Sequence, residues 1–210
     1  MMTLHSYLLF VGATIVLVIV PGPDMAYMLA RCIAQGRRAG VLAALGFNLG
    51  GYVHLTAAVL GLSAILATSS IAFSVVKWVG AAYLVYLGIS VLRSKRGPLV
   101  ISADGLANRN NGTILWQAFL SDVLNPKVAM FFMALLPQFV DTTGSHPTFQ
   151  ILVLGVTVNM IALPINILLV YFSARLTEAL RRSPVISARL QKAMGALFVA
   201  LGLRLALDKI

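Results

Sequence analysis

The sequence predicts an all-α integral membrane protein: six transmembrane helices forming two inverted three-helix repeats, with broken helices at Pro21–Pro23 and Asn125-Pro126. Three observations carry that prediction. First, 60% of the 210 residues are hydrophobic and only 10% are charged, with a mean hydropathy of +0.93. A soluble domain of this size exposes too much surface to hide so much apolar side chain, and it ordinarily carries about 25% charged residues. Second, residues 1–23, 39–76 and 142–174 contain no Asp, Glu, Lys or Arg, and a span needs about 20 apolar residues. Third, the basic residues gather in alternate connections, as they do in multi-pass membrane proteins. Disorder is excluded by the apolar composition. A disulfide scaffold is excluded because Cys32 is the single cysteine.

Six segments follow in order: 4–32, 39–66, 71–92, 113–138, 148–174 and 188–207. From Leu4 to Arg31 one continuous helix would run about 42 Å at 1.5 Å per residue. The hydrocarbon core is about 30 Å thick. Pro21-Gly22-Pro23 breaks the run, since proline removes a helical hydrogen bond and clashes with the preceding turn. The segment lacks a basic start and a small-residue cleavage site, so it reads as a retained span rather than a signal peptide. In the second segment Gly46, Gly50 and Gly51 give a small-residue face for close helix packing. Thr68-Ser69-Ser70 is the turn before the third, where Lys77 snorkels to the surface. The fourth repeats the proline device at Asn125-Pro126-Lys127, with Asn125 suited to an N-cap and Pro126 to the first helical position. The fifth is long and uncharged. The sixth is flanked by Arg189, Lys192 and Arg204.

The longest polar stretch, Gly97 to Gly112, divides the chain into a first repeat (1–96), a cytoplasmic linker (97–112) and a second repeat (113–210) of one transmembrane domain. Three spans per half is an odd number, so homologous halves face opposite ways. Two short matches support the repeat. Pro21-Gly22-Pro23-Asp24-Met25 answers Leu124-Asn125-Pro126-Lys127-Val128, and Lys77-Trp78-Val79-Gly80-Ala81 answers Lys192-Ala193-Met194-Gly195-Ala196.

The 16 basic and 6 acidic residues give a net charge of +10. Arg31, Arg37 and Arg38 flank the first connection, Arg93, Lys95, Arg96 and Arg109 the third, and Arg175, Arg181, Arg182, Arg189 and Lys192 the fifth. The second connection has no charge and the fourth has Asp141 and His146. The positive-inside rule then puts both termini outside the cytoplasm. It also uses the surplus charge for topology and for contact with anionic lipid, which leaves no stripe for nucleic acid.

Few polar residues remain inside the spans. Asp24 follows the first break, where a carboxylate meets the positive end of a helix. It reads either as a local cap or, by the cost of a buried acid in a membrane, as an ion or proton site. Lys127 stands where the helix dipole disfavours a cation, so an anion must offset it. Asp122, Asp24 and a substrate carboxylate are the candidates, and a plain Asp122–Lys127 pair is the simpler reading. Asn48, His54, Asn159 and Asn166 serve either as interhelical hydrogen-bond glue or as site residues. His54 can also exchange a proton near neutral pH. Two half-helix N-termini around a pseudo-two-fold axis suit the carboxylate of a small solute. The expected site therefore comprises Pro21, Gly22, Pro23, Asp24, Asn48, His54, Asp122, Asn125, Pro126, Lys127 and Asn159.

No phosphate-binding loop, metal-ligand spacing or nucleophilic triad is recognisable, so the chain reads as a non-enzyme without cofactor or metal. A secondary transporter for a small anionic or zwitterionic solute fits best. A channel for the same solutes, or a non-transporting membrane scaffold, are the alternatives. A homodimer fits, because a small bundle leaves apolar faces to pair.

Four blocks together resemble the LysE/RhtB family of bacterial amino-acid exporters. They are Val20-Pro21-Gly22-Pro23-Asp24-Met25, Ala34-Gln35-Gly36-Arg37-Arg38-Ala39-Gly40, Leu124-Asn125-Pro126-Lys127-Val128-Ala129-Met130-Phe131-Phe132 and Leu136-Pro137-Gln138-Phe139-Val140. The resemblance covers nearly the whole chain in order and spacing. It implies an inner-membrane exporter of amino acids or close derivatives, driven by proton antiport. Members often carry Asn after the Pro-Gly-Pro and an acid near the positions of Asn48 and Gly51. Here the carboxylate stands at Asp24 instead.

Overall fold

A computed structural model describes residues 3–19, 22–68, 109–141 and 146–175 continuously, and scattered positions within 75–93 and 189–207. Among the described residues nearly all are helical and none is in a strand. The elements are α1 (Leu4–Ile19), α2 (Pro23–Gln35), α3 (Arg37–Thr68), α4 (Asn111–Val123), α5 (Pro126–Met130) and α6 (Pro147–Tyr171). From α5 the chain continues through a π-helical turn, Phe131–Leu135, and a 3-10 turn, Leu136–Phe139.

Two helices, Arg37–Gly61 within α3 and α6, are long and apolar enough to cross a membrane. The number rises to four if each bent pair is one span: α1 with α2, bent by 49°, and α4 with Pro126–Phe139, bent by 45°. The two breaks fall where the prolines predict them. The expected third and sixth spans lie outside the continuously described residues. Their described positions meet closely, since a Cβ at Gly88 would lie 2.6 Å from the carbonyl oxygen of Gly195.

Local sequence accounts for the ends. Pro23 and Pro126 each open a helix, where the missing N–H costs nothing. The Asn125 side chain accepts from Lys127 N at 3.0 Å and Asn110 caps α4 through Thr113 N at 2.8 Å. Between α2 and α3 the connection is Gly36 alone, with φ +80°, which glycine adopts without a Cβ penalty. The join is thus tighter than the loop expected from residues 33–38. Arg37 and Arg38 are exposed there, but Arg31 is not: it is 4% exposed on α2. Arg31, counted in the sequence among the bases flanking this connection, is buried rather than exposed with the other two. Helical periodicity turns it toward α4, whereas charge counting sees only its distance from the loop.

Packing follows small residues, because lipid removes the hydrophobic incentive for helices to associate and leaves close contact and hydrogen bonds. The expected small face of α3 is present. A Cβ at Gly46 would lie 2.6 Å from Ala118 Cβ on α4, and Gly50 abuts Asp122. Two apolar clusters result. One joins Phe10 and Leu17 to Phe131, Phe132, Leu136, Phe139, Leu154 and Val158. The other joins Met28 and Cys32 to Ala43, Phe47, Ile114, Ala118 and Val170.

Candidate functional site

Where the two clusters meet, a cavity of about 80 Å³ opens beside both helix breaks. Its apolar wall is Leu17, Val18, Met25, Phe47, Val128, Phe132, Val158 and Ala162. Its polar wall is Asp24, Asn48, Asp122, Asn125, Lys127 and Asn166, with Gly22 and Gly51 leaving backbone bare. A water needs roughly 10–15 Å³ by such a measure, so the space suits a few waters or the polar end of a small solute.

The first break supplies Asp24. Its helix is capped by Gly22 without a side-chain hydrogen bond. Asp24 stands in the first turn of α2, at the positive end of the helix, and its carboxylate also reaches beyond its own helix. One carboxylate oxygen accepts from Ser121 Oγ at 2.7 Å, and the other accepts a short hydrogen bond from Asn125 Nδ2. Both donors belong to the second break, so the two breaks are tied together through Asp24. The second break returns the contact: Lys127 Nζ lies against Gly22, 3.4 Å from where a Cβ would stand.

Asp122 sits close by, 5% exposed, and among the described residues its Oδ2 accepts no hydrogen bond. His54 Nε2 donates to the Asp122 backbone carbonyl at 2.9 Å and lies 4.0 Å from Oδ2. Since a carbonyl only accepts, that ring nitrogen carries a proton. The imidazole stacks on Phe132, with centroids 5.8 Å apart. Phe132 belongs to the π-helical turn, a distortion that is frequent at functional sites. Gly50 and Gly51 let α3 approach, the first against Asp122 and the second against the Asn159 side chain. Asn159 is 2% exposed and bonds along its own helix to Gly155 O, while Asn48 Nδ2 donates to the Asn159 carbonyl at 3.0 Å.

Of the expected site residues, Gly22, Asp24, Asn48, Asp122, Asn125 and Lys127 line the cavity. His54 stands behind Asp122, and Asn159 joins α3 to α6 from outside the lining. Pro23 and Pro126 shape the breaks, and Pro21 lies outside the described residues. Asn166, noted in the sequence but left out of the expected set, lines the cavity. Among the described residues no three His, Cys, Asp or Glu side chains gather as metal ligands.

Sequence reasoning missed a polar ladder between α2 and α4. Beyond the Asp24–Ser121 bond, Tyr27 OH donates to Gln117 Oε1 at 3.2 Å. Arg31 donates to the same oxygen at 3.2 Å and to Gln35 Oε1 at 2.9 Å, with its guanidinium 5.3 Å from the Tyr27 ring centre. Gln35 Nε2 then donates to the Arg109 carbonyl at 2.8 Å. The spacing 24, 27, 31, 35 was a legible signal, since it is one helical stripe.

A model of LysE type translocators matches residues 15–209. An uncharacterized membrane protein of Vibrio cholerae is 33% identical over 99% of this chain and 100% of its own. One from Pseudomonas aeruginosa is 31% identical over 94% of this chain and 93% of its own. A leucine efflux protein of Salmonella typhimurium is 26% identical over 96% and 94% respectively. No solved structure matches. With the family model spanning most of the chain and a relative of this identity along its full length, the chain belongs to the LysE type translocator family.

Proposed function

We propose that the chain is a secondary transporter that exports amino acids or close derivatives across the bacterial inner membrane by proton antiport. One observation carries the reading: Asp24, Asp122 and Lys127 converge on a single cavity at two helix breaks, inside otherwise apolar helices. Charged groups at such depth are costly and mark transport paths. Lys127 offers a positive charge to the solute carboxylate, while Asp24 and Asp122 are the proton carriers. The apolar wall receives the side chain. The relatives named leucine efflux proteins support an apolar amino acid as cargo.

Six spans in two inverted halves, 1–96 and 113–210 about the linker 97–112, accord with the paired breaks. Each half places proline at the first helical position and a charge at the next, Asp24 in one and Lys127 in the other. In this reading the basic connections face the cytoplasm and both termini face outward, and two copies pair through lipid-facing surfaces. Solute enters from the cytoplasm, the halves rock about the breaks, and a proton from outside resets the carrier.

Transport in oriented vesicles tests the proposal. Asp24→Asn is expected to abolish stimulation of leucine efflux by an imposed pH gradient, and Lys127→Ala to raise the leucine KM strongly. Wild-type flux from both variants, at normal protein levels, would overturn these roles. Wild-type flux indifferent to the gradient would favour a channel.

A further inference from the structure

The ladder between α2 and α4 has a consequence for how the solute reaches the cavity. Arg31 lies seven residues beyond Asp24, about 10 Å along α2 at 1.5 Å per residue. It is on the same helical stripe and is 4% exposed. The ladder starts at the cavity lining with Asp24 and ends at Gln35, beside the basic connection. A guanidinium buried in a membrane-spanning half-helix is expensive, and residues of this kind face pathways by default. Its described donations go to the amide oxygens of Gln35 and Gln117, and Gln117 Oε1 is shared with the Tyr27 hydroxyl. A carboxylate is a stronger acceptor for a guanidinium than an amide oxygen and matches its fork with two parallel bonds. An arriving carboxylate can therefore compete with Gln117 Oε1 for the guanidinium.

We propose that Tyr27, Arg31 and Gln117 form a second binding station, for the carboxylate of a small solute, on the cytoplasmic side of the central cavity. The proposal rests on the export reading for its direction of travel. Arg31 takes the carboxylate first, the Tyr27 hydroxyl completes its coordination, and the solute then passes one half-helix inward to Lys127. Gln117 occupies the station when no solute is there.

The test compares KM from the two membrane faces, using L-leucine. In everted vesicles the cytoplasmic face is presented, and in right-side-out vesicles the outer face. Arg31→Gln is expected to raise KM at the cytoplasmic face about tenfold or more, leaving the outer-face KM within about twofold, as expected when one bidentate carboxylate contact is lost. Arg31→Lys keeps the charge and loses the fork, so it should fall between, and it remains informative if the glutamine variant does not fold. Equal KM changes at both faces, or none at either, would overturn the station. If wild-type protein moves no leucine, the export reading itself fails. The station is then judged by equilibrium binding of L-leucine to purified protein in nanodiscs, where Arg31→Gln binding as tightly as wild type would overturn it.

Discussion

Replacing Gly46 by alanine tests whether the α3–α4 contact holds the site in register. The new methyl would lie 2.5 Å from the Leu115 carbonyl oxygen, 2.6 Å from Ala118 Cβ and 3.0 Å from the Phe119 amide nitrogen. Carbon contacts are at their optimum near 3.5–4.0 Å. Two of the three neighbours are backbone atoms, so no side-chain rotation relieves the clash, and α4 must retreat by about 1 Å. Overpacking of this kind costs about 1–3 kcal/mol, or about 2–12 °C in melting midpoint for a chain of this length. The retreat also carries Ser121 and Asp122 away from Asp24 and His54, so export should fall by about tenfold or more. The assay is thermal unfolding of detergent-solubilised protein beside leucine efflux from cells. Gly61→Ala is the control, since a Cβ there meets no atom of the described residues within 4 Å, and it should match or slightly exceed wild-type stability. A Gly46→Ala protein that melts and exports like wild type would refute the reasoning.

Three further outcomes follow from the same geometry. Asn125→Ala removes the cap on Lys127 N and a donor to Asp24, so a loss of about 1–3 kcal/mol is expected, read as a lower melting midpoint with reduced efflux. Gly36→Ala forces φ +80° with ψ 177°, a region essentially reserved for glycine, on a residue with a Cβ; a loss of about 1–3 kcal/mol is expected as a lower melting midpoint, and Gly36→Asn should not recover it. His54→Phe keeps an aromatic ring against Phe132 but loses the bond to the Asp122 carbonyl; the protein should accumulate normally and lose pH-driven efflux, measured by acidifying the medium.

Much of the site was legible because its components are rare in an apolar chain. Proline at 23 and 126, and charge at 24, 122 and 127, stand out against helices that tolerate neither cheaply. Arg31 was read by the same logic only as a base flanking a connection. A base near a predicted loop counts toward topology, and only helical phase tells whether it faces solvent or another helix. Gln117 carries no charge and breaks no pattern, so nothing in the linear sequence singled it out, and Tyr27 shows only as a member of the stripe 24, 27, 31, 35.

The sequence by itself determined the membrane environment, the helical class, the two breaks and the short list of intramembrane charges. These depend on local chemistry: apolar length, a missing N–H and the cost of burying charge. The tertiary structure decided the partnerships. Asp24 binds Ser121 and Asn125 across the breaks, Lys127 reaches Gly22, His54 meets Asp122, and Arg31 faces Gln117. Each pair joins residues between 68 and 105 positions apart, or brings together helices that only small-residue packing on α3 allows to approach. Such pairings depend on how helices pack against each other, and no local rule in the chain encodes that.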